Sequence, residues 1–473
     1  TRYRSSAASD VYKRQSIYLS IEQLSEKRNL DFQKLNKGLG LEKMAIADSN
    51  EDPSSFAANA LIDLFEKNNL NPQEIGRIYM GTESALDASK PSATYATDLV
   101  EKYFTNKFGE RCLKNCDITD MTFACIGGVD ALQNTIDWVS RNSGKKAIVV
   151  SSDLSKYELN STGEYTQGAG AIALLITENP SILTIDNAWG IATKSENDFF
   201  KPRRTFNKKD LINEIISKLN LNISDSDFEE KFSESIFWNN NSEIIEVFKD
   251  EPVFDGQFSN ACYVDRMQEA FIHFEKNQKT DFLNEWDHII FHLPYAFHGR
   301  RMIFNNWFNW IKKDEKFSDL LNEIGSEDDE LFTKKAYKSN IYKEFIKSKI
   351  APGEKASSSI GNMYSASVFM SLLSMLNVHY DNGSEIKDQK VGFISYGSGS
   401  KAKIFQGIIQ ENWKDKIQTS KLFESLNNRK EISFDDYQNL HKSKNIPPLS
   451  NHSVRFSHTD KTVNSKGYRR YKI

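Results

Sequence analysis

The stretch "FACIGG", residues 123–128, puts a cysteine between a short apolar run and a helical pattern, with two glycines behind it. A thiol at such an elbow lies near a helix N-terminus, where backbone N–H groups and the helix dipole favour thiolate. Gly127 and Gly128 would let another backbone or a ligand approach closely. Cys125 is therefore either a nucleophile or a small buried residue filling a core. Glu83, in "GTESALDASKP", stands at a strand end after Gly81 and Thr82. A carboxylate there is costly unless paired or working, or else it is solvated in a loop. His292, in "FHLPYAFHGRR", ends another strand, and Pro294 stops any helix from continuing. A lone histidine in an apolar strand is a satisfied core residue unless it has a chemical task. Asn362 follows Gly361 in "SIGNMYSAS" at a helix start, and "FISYGSGS" runs from a strand into a Gly/Ser loop. Such loops offer N–H and hydroxyl donors to a phosphate, amide or oxyanion, or simply turn.

The elements that must hold these residues follow from periodicity. "RIYMGTES" and "MTFACIGG" read as short strands, and "GGVDALQNTIDWVSRN" as a helix with Val129, Leu132, Ile136 and Val139 on one face. "FAANALIDLFEKN" is amphipathic, with Phe56, Leu61, Leu64 and Phe65 sharing a face. "KKAIVVSSD", "GAGAIALLIT", "HIIFHLP" and "KVGFISYGSGS" are apolar runs of the kind that strands buried on both faces show. "SSIGNMYSASVFMSLLSML" reads as a helix between the last two of them, and "SIYLSIEQLSEKRNLDFQKLNKGLG" as two helices near the start. Buried strands alternating with helices indicate a layered α/β fold. Residues 203–252 are polar and charged, with one amphipathic helix near Leu211 to Leu219, and read as a surface insertion. The C-terminal "SHTDKTVNSKGYRRYKI" is a closing hairpin or a solvated tail.

Bulk numbers exclude several classes. The 473 residues suffice for two or three cores, or one large duplicated one. With 61 basic and 65 acidic residues the net charge is -4, which does not point to nucleic acid or an anionic membrane. No apolar run approaches the roughly 20 residues needed to span a bilayer. Cys112, Cys116, Cys125 and Cys262 make neither a disulfide framework nor a zinc pattern, so a reducing, cytoplasmic compartment and no metal are expected.

As an ordered set the motifs resemble hydroxymethylglutaryl-CoA synthase of the bacterial type, in the thiolase superfamily. "GTESALDASKP", "FACIGG", "NSTGEYTQGAGAIAL", "NDFFKP", "FDG", "FHLPY", "SIGNMYSAS" and "SYGSGS" occur in that family's order, from about residue 17 onward. The resemblance implies a thiolase-like five-layered α/β/α/β/α fold of two pseudo-duplicated halves, 17–190 and 191–473, and a homodimer. It implies that Cys125 is the acyl-accepting nucleophile, Glu83 the general acid/base, and His292 the residue that orients acetoacetyl-CoA. Asp153 and Asp198 fall on supporting acidic positions, and Tyr157, Thr166, Asn362 and Ser398 on substrate-pocket positions. Acetyl-CoA and acetoacetyl-CoA are then the substrates, with no cofactor.

Three departures stand out. Ile126 replaces a common tyrosine. Phe297 replaces a common CoA-contacting lysine, with Arg300 and Arg301 close enough to supply that charge. The family's opening strand is missing from "TRYRSSAASDVYKRQ", where four of fifteen residues are basic, so residues 1–16 are expected to leave a gap in the first sheet. Two relatives share much of the pattern: a carrier-protein-dependent synthase of polyketide β-branching, and ketoacyl synthase III. Glu83 argues against the second, because decarboxylative condensation needs no such base. An inactive scaffold would not need the Cys/Glu/His set.

Overall fold

The structure, a computed structural model, describes residues 5–12 (backbone only), 16–232, 243–444 and 446–473. The chain divides into two compact units, residues 1–198 with 255–473, and residues 199–254.

The larger unit is built on ten strands: β1 (Ser5–Tyr12), β2 (Ile75–Gly81), β3 (Asp117–Met121), β4 (Lys146–Ser155), β5 (Gly168–Thr177), β6 (Leu183–Ile185), β7 (Gly190–Thr193), β8 (His288–Phe291), β9 (Lys390–Gly397) and β10 (Lys401–Ile409). They hydrogen-bond in the order β8-β9-β10-β6-β1-β5-β4-β2-β3, with β7 also on β10. The order repeats one pattern. In the first half β2 pairs parallel with β3 and β4, β4 turns back antiparallel onto β5, and β5 pairs antiparallel with β1. In the second, β8 pairs parallel with β9, β9 turns back onto β10, and β10 pairs antiparallel with β6 and β7. The halves meet where β1 pairs antiparallel with β6.

Seven helices matter to the site: α1 (Ile21–Arg28), α2 (Pro53–Lys67), α3 (Ser92–Phe108), α4 (Gly127–Arg141), α5 (Gly256–Asn277), α6 (Ser367–Asp381) and α7 (Phe434–His441). Side chains alternate across a strand, so each sheet half feeds two cores. From β4, Ala147 and Val149 join Val129, Leu132 and Ile136 of α4, whereas Ile148 and Val150 join Phe56 and Leu61 of α2 and Leu99 of α3. From β9, Val391 and Phe393 enter the first of these cores beside Leu372 and Met375 of α6, while Ile394 and Tyr396 pack with Tyr263, Met267 and Phe271 of α5. The result is five layers: α2 and α3, the first half-sheet, α4 and α6, the second half-sheet, α5. The uninterrupted apolar runs of β4 and β5 reflect burial on both faces.

The opening segment is corrected. Ser5–Tyr12 is a strand, seated between β5 and β6, and it closes the place where a gap was expected. The four basic residues, Arg2, Arg4, Lys13 and Arg14, all flank it and none lies within it. Ladder hydrogen bonds come from the backbone and ask little of the side chains, so a count over fifteen residues misjudged eight. Residues 1–4 and 13–15 of the same expectation lie outside the described residues. Two further elements differ. Ile17–Ser20 is a strand paired with Lys43–Ile46, too short for its alternation to be read from sequence. The strand through "MTFACIGG" stops at Met121. At the C-terminus, Arg455–Thr459 and Arg469–Lys472 form an antiparallel hairpin.

Within residues 199–254, Phe199–Phe200 pairs with Val253–Phe254 and Arg204–Asn207 with Ile244–Val247, around helices at Lys208–Leu219 and Asp225–Phe232. Residues 233–242 of the expected insertion lie outside the described residues. Among the described residues no helix is long and apolar enough to cross a membrane.

Candidate active site

Between Met121 and Gly127 the chain makes a tight elbow with Ala124 at φ +40, a left-handed conformation costing about 1 kcal/mol or more for a non-glycine residue. Glycine is required just beyond it. A Cβ on Gly81 would stand 2.3 Å from the Gly128 backbone, and one on Gly128 would stand 2.2 Å from Ser151 Oγ and 2.7 Å from Ser365 O. The first turn of α4 is thus pressed against the end of β2. Thr82 N–H donates to Met121 O (3.2 Å) and Thr122 Oγ1 donates to Thr82 O (3.0 Å), tying the loop after β2 to the elbow. These constraints set Cys125, which is 8% exposed, with its Sγ donating to Glu83 Oε2 at 3.2 Å.

Asp153, near the end of β4 and fully buried, is the clamp behind this pair. Its Oδ1 accepts from Thr82 Oγ1 (2.9 Å) and Glu83 N–H (2.8 Å). Its Oδ2 accepts from Ser365 N–H (2.9 Å) and from the Ser365 hydroxyl. Burial pushes its carboxyl up, against the pull of those donors. One side chain therefore fixes the Glu83 loop of the first half to the Asn362–Ser365 turn of the second.

Asn362 lies in that turn, buried, and its N–H donates to Thr166 O (2.9 Å). Its Oδ1 accepts from the N–H of Tyr364, another non-glycine residue at positive φ (+43). Tyr157 is buried and its phenol hydrogen-bonds Tyr364 and Asn362. Burial, then the charges of Cys125 and Glu83, push that phenol up, so it remains a protonated donor beside the nucleophile. Thr166 turns its hydroxyl to Gly163 O (2.8 Å).

His292 follows β8 and is 2% exposed. Burial pushes its imidazole down to about 3, so it is neutral at ordinary pH. Its Nδ1 has no hydrogen-bond partner among the described residues. The Tyr263 hydroxyl of α5 donates to His292 O (3.2 Å), and the Tyr263 phenol is pushed up by burial first and then by the Cys125 charge. Asp198, fully buried, accepts from Tyr396 OH (2.8 Å), Ser259 Oγ (3.1 Å) and Gly399 N–H (2.8 Å), bracing the loop that carries Ser398. Ser398 in turn bonds Tyr396. Cys125, Glu83, Asp153, Tyr157 and Asn362 thus form one connected group. Asp198 and Ser398 form a second, around Tyr396, which stacks on Tyr263 at 4.5 Å.

The expected charge replacement at Phe297 is corrected in part. Arg300 forms a two-pronged pair with the buried Glu354 and lies over the Phe297 ring at 3.7 Å. A guanidinium committed to a buried carboxylate is not free for a phosphate. Arg301 is exposed and donates to Gly38 O (2.7 Å).

Sequence reasoning missed Ser365, Tyr364 and Tyr263. The first two stand inside the quoted "SIGNMYSAS", but nothing local marks them as partners of Asp153 or Tyr157. Tyr263 reads as an ordinary core aromatic on α5 and had no signal.

Comparison with known proteins gives a consistent set. The family models "Hydroxymethylglutaryl-coenzyme A synthase N terminal" and "C terminal" match residues 7–181 and 246–464. The N-terminal match includes most of β1. A hydroxymethylglutaryl-CoA synthase of Haloferax volcanii is 30% identical over 427 residues, covering 87% of this chain and 85% of the relative. One from Enterococcus faecalis is 26% identical over 423 residues, covering 89% and 87%. Among solved structures, "MvaS in complex with 3-hydroxy-3-methylglutaryl coenzyme A" superposes with a TM-score of 0.75 at 24% identity, covering 100% of this chain and 99% of that one. The "Curacin Biosynthetic Pathway HMG Synthase" superposes at 0.73 with 19% identity, covering 99% of each. At these identities the structures establish the thiolase-like fold.

Proposed function

The chain belongs to the hydroxymethylglutaryl-CoA synthase family, acyl-transferring enzymes, and from that premise we propose that it condenses acetyl-CoA with acetoacetyl-CoA and water to give 3-hydroxy-3-methylglutaryl-CoA and CoA, as in the mevalonate route to isoprenoids. The observation that carries the assignment of roles is the contact between Cys125 Sγ and Glu83 Oε2 in an enclosed site.

Cys125 attacks the acetyl thioester, its own N–H helps hold the oxyanion, and CoA leaves a covalent acetyl-enzyme. Glu83, whose carboxylate already reaches the sulfur, takes a proton from the acetyl methyl group. The resulting enol attacks the ketone carbon of acetoacetyl-CoA. His292, held neutral by burial, orients that ketone by hydrogen bonding. Protonated Glu83 returns its proton to the new alkoxide, and water then hydrolyses the enzyme thioester. Asp153 keeps Glu83 over the sulfur through four donors on two halves of the fold. Tyr157, Thr166, Asn362, Asp198 and Ser398 complete the pocket. Mass spectrometry after exposure to acetyl-CoA alone tests the first step. One acetyl group on Cys125 is expected, and an unlabelled protein refutes the assignment.

A second reading uses carrier-bound esters. It is favoured by Phe297 at the position of the family's lysine and by the commitment of Arg300 to Glu354, which withholds that guanidinium from a CoA phosphate. Turnover confined to carrier-bound acetyl groups would select it. We further propose a cytoplasmic homodimer. Cys112, Cys116, Cys125 and Cys262 form no disulfide, which supports a reducing compartment, and light scattering that returns a monomer refutes the dimer.

A further inference from the structure

Tyr157 is held from outside the site by residues that touch no reacting atom. Its N–H donates to Gln167 Oε1 (2.8 Å), and its C=O accepts from His441 Nε2 (2.8 Å) on α7. The Gln167 amide then donates to Tyr437 OH (2.7 Å), also on α7. Tyr437 donates to Glu164 Oε1 (3.0 Å), and Glu164 takes both prongs of Arg28, the last residue of α1, at 2.9 and 2.7 Å. Glu164, Gln167 and Tyr437 are 2 to 3% exposed. The network thus joins residue 28, the 157–167 loop and residues 437–441. Both backbone polar groups of Tyr157 are spent on it, while the Tyr157 phenol hydrogen-bonds Tyr364 and Asn362 and is pushed up by burial and then by the charges of Cys125 and Glu83.

We propose that Glu164, Gln167, Tyr437 and Arg28 are positioning residues for the reaction, acting through Tyr157, so that α7 holds the 157–167 loop in the shape the acyl site requires. Tyr437 is the joint. It is the only contact that passes the Arg28–Glu164 pair on to the Gln167 amide among the hydrogen bonds given above. Removing its hydroxyl leaves the buried Gln167 Nε2 without that acceptor, while Glu164 Oε1 keeps Arg28 Nη2, and Gln167 is then free to turn away from the Tyr157 N–H. The proposal rests on the reading of the site as a condensing centre, and its test separates the two.

The experiment is a double-mutant cycle in the full-length protein. Tyr437→Phe should lower kcat for condensation about 10- to 100-fold, the cost of a displaced reacting geometry. On a Tyr157→Phe background the same change should cost less than about twofold, because the group it positions is already gone. Independent losses that multiply in the double variant overturn the proposal. Amide exchange is read alongside, without substrate. Faster exchange of the Tyr157 N–H in Tyr437→Phe, with a melting transition lowered by no more than a few degrees, is expected, and unchanged exchange overturns the proposal whatever the activity. A wild-type protein that does not condense would overturn the functional reading alone.

Discussion

Shortening Glu83 by one methylene separates the functions of the Cys125–Glu83 pair. Glu83 Oε2 lies 3.2 Å from Sγ. Asp removes about 1.5 Å of reach, which places the carboxylate about 4.7 Å from the sulfur, outside hydrogen-bonding range. The backbone cannot follow, because Glu83 N–H and Thr82 Oγ1 are both fixed to Asp153 Oδ1. Glu83→Asp should therefore behave nearly as badly as Glu83→Ala, and Glu83→Gln, which keeps the contact without basicity, should match them. Loss of a general base costs about 10²- to 10⁴-fold, or roughly 2.7 to 5.5 kcal/mol of barrier. Acetylation needs the nucleophile and the oxyanion site, so it should survive in all three. The assay pairs intact mass after acetyl-CoA with the disappearance of acetoacetyl-CoA absorbance. A Glu83→Asp protein that condenses within tenfold of wild type, or a Glu83→Ala protein that is no longer acetylated, would refute the division of labour.

Three more outcomes are expected. Asp153→Asn keeps shape but offers one oxygen to donors from two sides; burial already favours the neutral form, so melting should shift by less than about 5 °C while condensation falls about 100-fold, and the reverse pattern in calorimetry and kinetics contradicts the clamp. His288, whose Nε2 meets Gln389 Oε1, is pushed by burial from 6.5 to about 4, so the unfolded chain gains its proton first as pH falls from 6.5 to 4 and stability drops by about 1.4 kcal/mol per pH unit on its account; urea midpoints at pH 7, 6 and 5 should fall less steeply in His288→Asn, and parallel curves would rule this out. Gly81→Ala drives a Cβ into the Gly128 backbone, which has nowhere to give; both the melting temperature and Cys125 acetylation should fall, and an unaffected protein would show that β2 and α4 are not in register with the site.

Much of this was legible because the signals are local. A cysteine at an elbow, glycines beside it and a carboxylate after a strand need only the neighbouring residues to be noticed. The apolar runs of β4, β5 and β9 announce strands covered on both faces, and their alternation with helices announces layers. What failed was also local in cause. Ser5–Tyr12 carries no apolar pattern, yet it fills the seam between the half-sheets, because a strand flanked by two antiparallel partners is specified by its backbone.

By itself the sequence determined the residue types that can do acyl chemistry, their order along the chain, and the buried strands and amphipathic helices that carry them. Tertiary structure alone decided which of them meet. Asp153 is bonded to Ser365, 212 residues away, and His441 to the Tyr157 carbonyl, 284 residues away. Arg300 is held by the buried Glu354, a partner no spacing reveals. The neutrality of His292 likewise follows from burial beneath α5 and β9. The physical reason is the same in each case. Periodicity and caps act over a few residues, whereas hydrogen bonds, ion pairs and desolvation depend on distances in space that are set only when the two halves close on one another.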